Sequence, residues 1–167
     1  MLKEENNIKI IDRIKELVID WIVICIYLII LAIISLSFYI IVFKGIPKVT
    51  ESQSQLIATI TSVIPIIIIF SILDFRRGSI GKQKVGLKLY FKERKFKYSI
   101  IRNVLKFLPW QIGHMATIHG IYTEFDTISI ILQIISITLL VIMFLMGILR
   151  KDKRHLGDIV AGTQVQL

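Results

Sequence analysis

Three stretches of this chain carry almost no polar side chains. Residues 18–43 contain one charge, Asp20, while residues 55–73 and 127–149 contain none. As helices, these 26, 19 and 23 residues would reach roughly 40, 29 and 35 Å, against a hydrocarbon core of about 30 Å. The lengths predict three membrane helices, because a water-soluble chain this small has no surface to spare for them. A fourth stretch, residues 105–122, is mostly apolar but is interrupted by Pro109, Gly113, His114 and His119. Two short segments alternate with period two, which is the strand pattern. Val85, Leu87, Leu89 and Phe91 face one way in the first, and Thr163, Val165 and Leu167 in the second. The expected fold is an all-α integral membrane protein with two short strands after its second and fourth helices.

The apolar pattern is reinforced by composition. Of 167 residues, 54% are apolar, and the mean hydropathy is +0.72. The length suits a single domain over residues 1–167. The first apolar run is about twice the length of a signal-peptide core and no small-x-small site follows it, so a retained signal-anchor is expected. The one cysteine, Cys25, lies inside the first predicted helix, which leaves neither a disulfide framework nor a zinc spacing.

The net charge of +9 raises the possibility of nucleic-acid binding, but the placement of the basic residues points elsewhere. Nine of the 21 Lys and Arg lie in residues 74–98, four in the N-terminal tail and four in residues 150–154. The first connection holds only Lys44 and Lys48. Basic segments stay on the cytoplasmic side of a bilayer. Both termini, the loop 74–98 and the tail 150–167 are therefore expected inside, and residues 44–54 outside. Parity then requires a crossing within residues 99–126, giving four spans at about 18–43, 55–73, 105–122 and 127–149. In the alternative arrangement the third segment lies on the inner surface, which places the basic tail outside. The expected location is a plasma membrane. The expected partners are the lipid bilayer and either further copies of the chain or another membrane protein, with no nucleic acid.

Two segments repeat each other. Residues 79–89, SIGKQKVGLKL, and residues 155–165, HLGDIVAGTQV, share an aliphatic-Gly-x4-Gly pattern through Gly81 and Gly86, and through Gly157 and Gly162. Arg13 precedes Trp21 by eight residues, as Arg102 precedes Trp110. The predicted unit is two helices plus a glycine motif, used twice in one orientation. GSIGK does not fit a phosphate loop, whose glycines are wider apart and whose lysine precedes Ser or Thr.

With these motifs in view the chain resembles the RDD family of bacterial membrane proteins over nearly its whole length. The residues that carry the resemblance are Arg13 before the first helix, Asp20 within it and Asp158 in RHLGDIVAGTQV, together with SIGKQKVGLKL and the arginine of IIRNVLKFLP. A departure is Lys92-Glu93-Arg94, where the family has an Asp-Gly-type turn. The resemblance implies the membrane fold, and transport of ions or small ligands is the activity suggested for the family.

An aspartate within an apolar run is costly to insert, so it needs a partner or a task. Asp20 shares a helical face with Arg13, Glu16 lies near the same stripe, and Arg102 is the partner expected from another helix. A guanidinium–carboxylate pair would fix helix packing. The other readings are a cation or proton site and a neutral carboxyl. Asp158 is expected either to cap a short helix or to pair with a basic residue of 74–98. His114, His119, Glu124 and Asp126 form at most a loose outer cation site without a zinc pattern. No nucleophile–base pair, metal triad or cofactor motif is present, so neither catalysis nor a bound cofactor or metal is expected. The two functional readings are a small ion or solute transporter, such as a cation/proton exchanger, and a non-transporting accessory protein that binds another membrane protein or anionic lipid.

Overall fold

The structure, a computed structural model, describes residues 2–167; Met1 of the expected 1–167 domain lies outside them. The chain is mostly helical. The elements are α1 (Ile10–Phe43), α2 (Glu51–Ala58), a π-helical turn (Thr59–Val63), α3 (Ile64–Arg76), α4 (Ile80–Lys84), β1 (Lys88–Phe91), α5 (Phe96–Thr123), α6 (Thr127–Leu149), α7 (Leu156–Ala161) and β2 (Thr163–Gln166). Three stretches are long and apolar enough to cross a membrane: Ile10–Phe43, Glu51–Lys84 and Thr127–Leu149.

Burial is inverted relative to a water-soluble protein. The buried positions of α1 are Arg13, Glu16, Asp20 and Ile24, one stripe at helical spacing, while Ile26, Ile29, Ile33 and Ile40 are exposed. Where lipid is the solvent, apolar side chains gain nothing by leaving it, and polar groups must be satisfied inside. The expected stripe thus becomes the packing face.

Neither proline ends a helix. Pro65 falls in the first turn of α3, directly after the π turn. Lacking an N–H, it leaves the Thr61 carbonyl without its α-helical donor, and the Tyr27 hydroxyl on α1 donates to that oxygen at 2.5 Å. Pro109 lies within a continuous α5. That helix is longer than the 105–122 expected of it. It is also the central helix, packed on α3, α6 and α7, and a helix walled by protein needs fewer apolar residues than one facing lipid. At its first end Arg102 meets Asp74 and Asp158; at the other, the Tyr122 hydroxyl donates to the Val49 carbonyl at 2.7 Å. A tight turn through Glu124 and Phe125, both left-handed, then enters α6, which Asp126 caps by accepting from the Ser129 N–H at 2.9 Å.

The two strands pair, as their alternation suggested. They are antiparallel, with Lys88 opposite Gln166 and Phe91 opposite Thr163. Leu87, Val165 and Ile8 form a small apolar core beneath the helices. The N-terminal tail is fastened there by Asn6, whose Nδ2 donates to the Val165 carbonyl at 2.6 Å. Within the bundle, Ile24, Ile66, Phe70 and Phe107 form the apolar core, with Phe70 edge-on to Phe107.

Candidate functional site

Where the helices meet the two-stranded layer, the interior is ionic. Four acids, Glu16, Asp20, Asp74 and Asp158, face four bases, Arg13, Lys82, Arg102 and Lys106. Most belong to one alternating chain. Arg13 bonds Glu16; Lys82 Nζ lies 3.1 Å from Glu16 and 3.0 Å from Asp74; Arg102 bonds Asp74 at 2.6 Å and Asp158 at 2.7 Å. Fully ionised, the eight side chains sum to zero, which is how charges persist out of water. Removing one partner from such a pair costs about 3–5 kcal/mol, because its counter-ion is left uncompensated.

Asp20 is attached differently. Its Oδ1 accepts from the Gly81 N–H at 2.8 Å, and its Oδ2 lies 3.7 Å from Lys106 Nζ. Among the described residues that Oδ2 accepts no hydrogen bond. Neither Arg13 nor Arg102 is its partner, contrary to expectation: Arg13 turns to Glu16 on its own helix, and Arg102 is drawn to the two acids on either side of it. Lys106 Nζ also sits over the rings of Phe70 and Phe107, 4.8 and 5.3 Å from their centroids. It therefore has a second favourable contact besides the carboxylate.

Asp158 lies in the first turn of α7, but the cap of that helix is His155, whose Nδ1 accepts from the Gly157 N–H at 3.0 Å. Burial alone would raise the Asp158 carboxyl; the Arg102 guanidinium holds it below the usual carboxylate range. Burial lowers His155 to about 3 despite the nearby Asp158 carboxylate, so its ring is neutral at pH 7. Asp158 Oδ1 also accepts from the Thr163 hydroxyl at 2.7 Å, which ties β2 to the cluster.

The glycine motifs explain the close fit. A Cβ on Gly81 would stand 2.2 Å from the Glu16 carbonyl oxygen, and one on Gly157 2.7 Å from that of Arg102. Gly86 and Gly162 supply the left-handed turn before each strand, at φ +74° and +62°. These contacts align the halves of the repeat differently from the Arg–Trp spacing. Glu16 corresponds to Arg102 and Asp20 to Lys106, both 86 residues on (102 − 16 and 106 − 20), while Lys82 corresponds to Asp158. Each of these three charges changes sign between the halves. Glu16–Lys82 and Arg102–Asp158 are the same contact with its polarity reversed.

A family model for the RDD family matches residues 9–162. The chain belongs to the RDD family. Comparison with curated proteins and with solved structures finds no match. Among the described residues no hydrogen bond or ion pair joins Arg13, Asp20 and Asp158 to one another. Each has a different partner: Glu16 on the same helix, the backbone of α4, and Arg102 on α5.

Two central members of the cluster were not expected in it: the sequence places Asp74 at the start of a basic cytoplasmic loop and Lys82 within a repeated glycine motif. Yet Lys82 is wholly buried. The repeat held the signal, since Gly81-Lys82 occupies the place of Gly157-Asp158. At the far end of the bundle His119 bridges Glu51 and Asp126, at 2.8 and 3.4 Å, and His114 meets Ser62 at 3.3 Å. The expected outer grouping is thus divided, and Glu51 takes the part expected of Glu124. Among the described residues no cluster of metal-ligating side chains is found.

Proposed function

We propose that this RDD protein is a cation/proton exchanger of four membrane crossings, with both termini on the cytoplasmic side, and that Asp20 is its exchanging group. The course of α5 supports the fourth crossing: it runs from the ionic cluster to the loop between α1 and α2, then turns back into α6. The observation that carries the function is the asymmetry of Asp20. One carboxylate oxygen is fixed by a backbone N–H, while the other accepts no hydrogen bond among the described residues and has only a loosely held lysine beside it, in a residue that lines a cavity of about 210 Å³. In every other ion pair of the cluster the charged atoms stand at 3.1 Å or closer.

In this reading a proton and a monovalent cation compete for Asp20 Oδ2. Lys106 provides the counter-charge when neither is bound and withdraws over Phe70 and Phe107 when one arrives. Arg13, Glu16, Lys82, Asp74, Arg102 and Asp158 form the rigid frame. The test is sodium- or potassium-driven proton movement in proteoliposomes. Wild type should exchange, and Asp20→Asn should lose exchange while keeping its fold. Equal flux in the mutant would remove Asp20 from the mechanism. Absence of flux in the wild type would favour the accessory role, for which the exposed basic residues Arg76, Arg77, Lys84 and Arg94 are the docking surface. After Cys25→Ser, a cysteine at Glu124 should react with an impermeant maleimide in intact cells, and one at Lys153 only after lysis.

A further inference from the structure

α1 packs mainly on α4 and scarcely meets α6. The gap between them is a cleft floored by α5. Its inner part is the cavity beside Asp20, where Arg13 and Lys106 line one end; its outer part, about 450 Å³, shares Trp21, Trp110 and Leu140 with the inner part and reaches Gln133. From Gly147 to Gln133, α6 borders this groove for roughly 21 Å at 1.5 Å per residue, the length scale of a single acyl chain and over half the thickness of the hydrocarbon core.

We propose that the cleft binds an anionic phospholipid, with one acyl chain along Trp21, Trp110 and Leu140 and its phosphate at Arg13 and Lys106. Of the charged residues that line the cleft, Arg13 and Lys106 are cationic and Asp20 anionic; Glu16, which pairs with Arg13, does not line it, and His155 is neutral. Arg13 is nine-tenths buried or more, and its Nε has no hydrogen-bond partner among the described residues. Its guanidinium lies against Gly147, where a Cβ would stand 3.6 Å from Nη2, so it borders α6 at the polar end of the cleft. A buried N–H donor at the polar end of an apolar groove matches a phosphate ester better than a zwitterion, whose trimethylammonium would be placed against two cations. The proposal shares Lys106 and the cavity with the exchange reading, but its test reads lipid contact without an ion gradient, so the two fail separately.

The chain contains two tryptophans, Trp21 and Trp110, and both line the cleft. Trp21 is also more than half exposed to lipid at large, so Trp21→Phe leaves Trp110 as the reporter. In vesicles with one-tenth brominated phosphatidylglycerol in phosphatidylcholine, Trp110 should be quenched more than with one-tenth brominated phosphatidylcholine in phosphatidylglycerol-free vesicles. A basic residue near a membrane surface contributes roughly fivefold in anionic-lipid association. Lys106→Gln should reduce the preference by about that factor, while Lys97→Gln on the exposed surface should leave it unchanged. Equal quenching by both lipids would overturn the proposal. So would a preference that survives in a Lys106→Gln protein whose circular dichroism and unfolding transition match the parent.

Discussion

Arg102→Met tests whether the ionic cluster holds this fold together. Arg102 is 1% exposed and bonds Asp74 and Asp158, at 2.6 and 2.7 Å. Without it Asp74 keeps Lys82 at 3.0 Å and Asn103 at 3.2 Å. Asp158 keeps only the Thr163 hydroxyl at 2.7 Å and a neutral histidine at 3.1 Å. The loss therefore falls on Asp158, a buried carboxylate left without a cation, and should be about 3–5 kcal/mol. That is a large share of a total stability on the order of 5–15 kcal/mol. Methionine fills much of the arginine stem volume, so little of the loss comes from packing. Adding Asp158→Asn removes the stranded charge, and the double mutant should recover on the order of 2–3 kcal/mol, a coupling typical of direct partners. The assay is unfolding in mixed micelles of a mild detergent and SDS, followed by helical circular dichroism. Lys95→Gln serves as the comparison, because its pair with Glu93 is exposed on both sides, and such pairs add little to stability. If Arg102→Met costs no more than Lys95→Gln, or if the Arg102 and Asp158 effects simply add, the cluster is not what secures the fold.

Other perturbations have equally direct readings. Gly81→Ala forces a methyl to 2.2 Å from the Glu16 carbonyl and should destabilise more than Gly86→Ala, which meets nothing within 4 Å but adopts φ +74°; the latter cost is about 1–2 kcal/mol. Both are measured in the same unfolding assay. Tyr27→Phe leaves the Thr61 carbonyl without a donor, at about 1–3 kcal/mol, and the loss should shrink in a Pro65→Ala background that restores an N–H. His155 is depressed from 6.5 to about 3, so the unfolded chain takes up this proton more readily than the folded one. Its contribution is complete above about pH 6.5 and declines as pH falls toward 3, and a stability profile of His155→Gln should be flatter over that window.

The membrane helices were legible because length and hydropathy answer to bilayer thickness, which is a one-dimensional constraint. The strands were legible from alternation at Leu87, Leu89 and Val165, since a half-buried strand has only two faces. The helix α5, expected only over 105–122, was harder to see. Its polar residues, Arg102, Asn103, Gln111 and His114, face other helices, and hydropathy does not record what a side chain faces. Of the site, Asp20 and Arg102 stood out by position, but their partners did not. Pairing depends on how deeply Gly81 and Gly157 let the short helices approach α1 and α5, a three-dimensional fact. The Arg–Trp spacing set the halves three residues out of step, because Arg13 and Arg102 look alike but hold different junctions. Lys82 was hidden by its neighbours: in a run of exposed lysines, burial leaves no compositional mark.

The central claim, that proton and cation compete for one oxygen of Asp20, is tested most directly by proton release. Sodium or potassium is added to the detergent-solubilised protein in weakly buffered solution containing a pH-indicating dye. The account predicts proton release from the wild type, saturating with cation concentration, and none from Asp20→Asn. No release from a folded wild type, or equal release from both proteins, would contradict it.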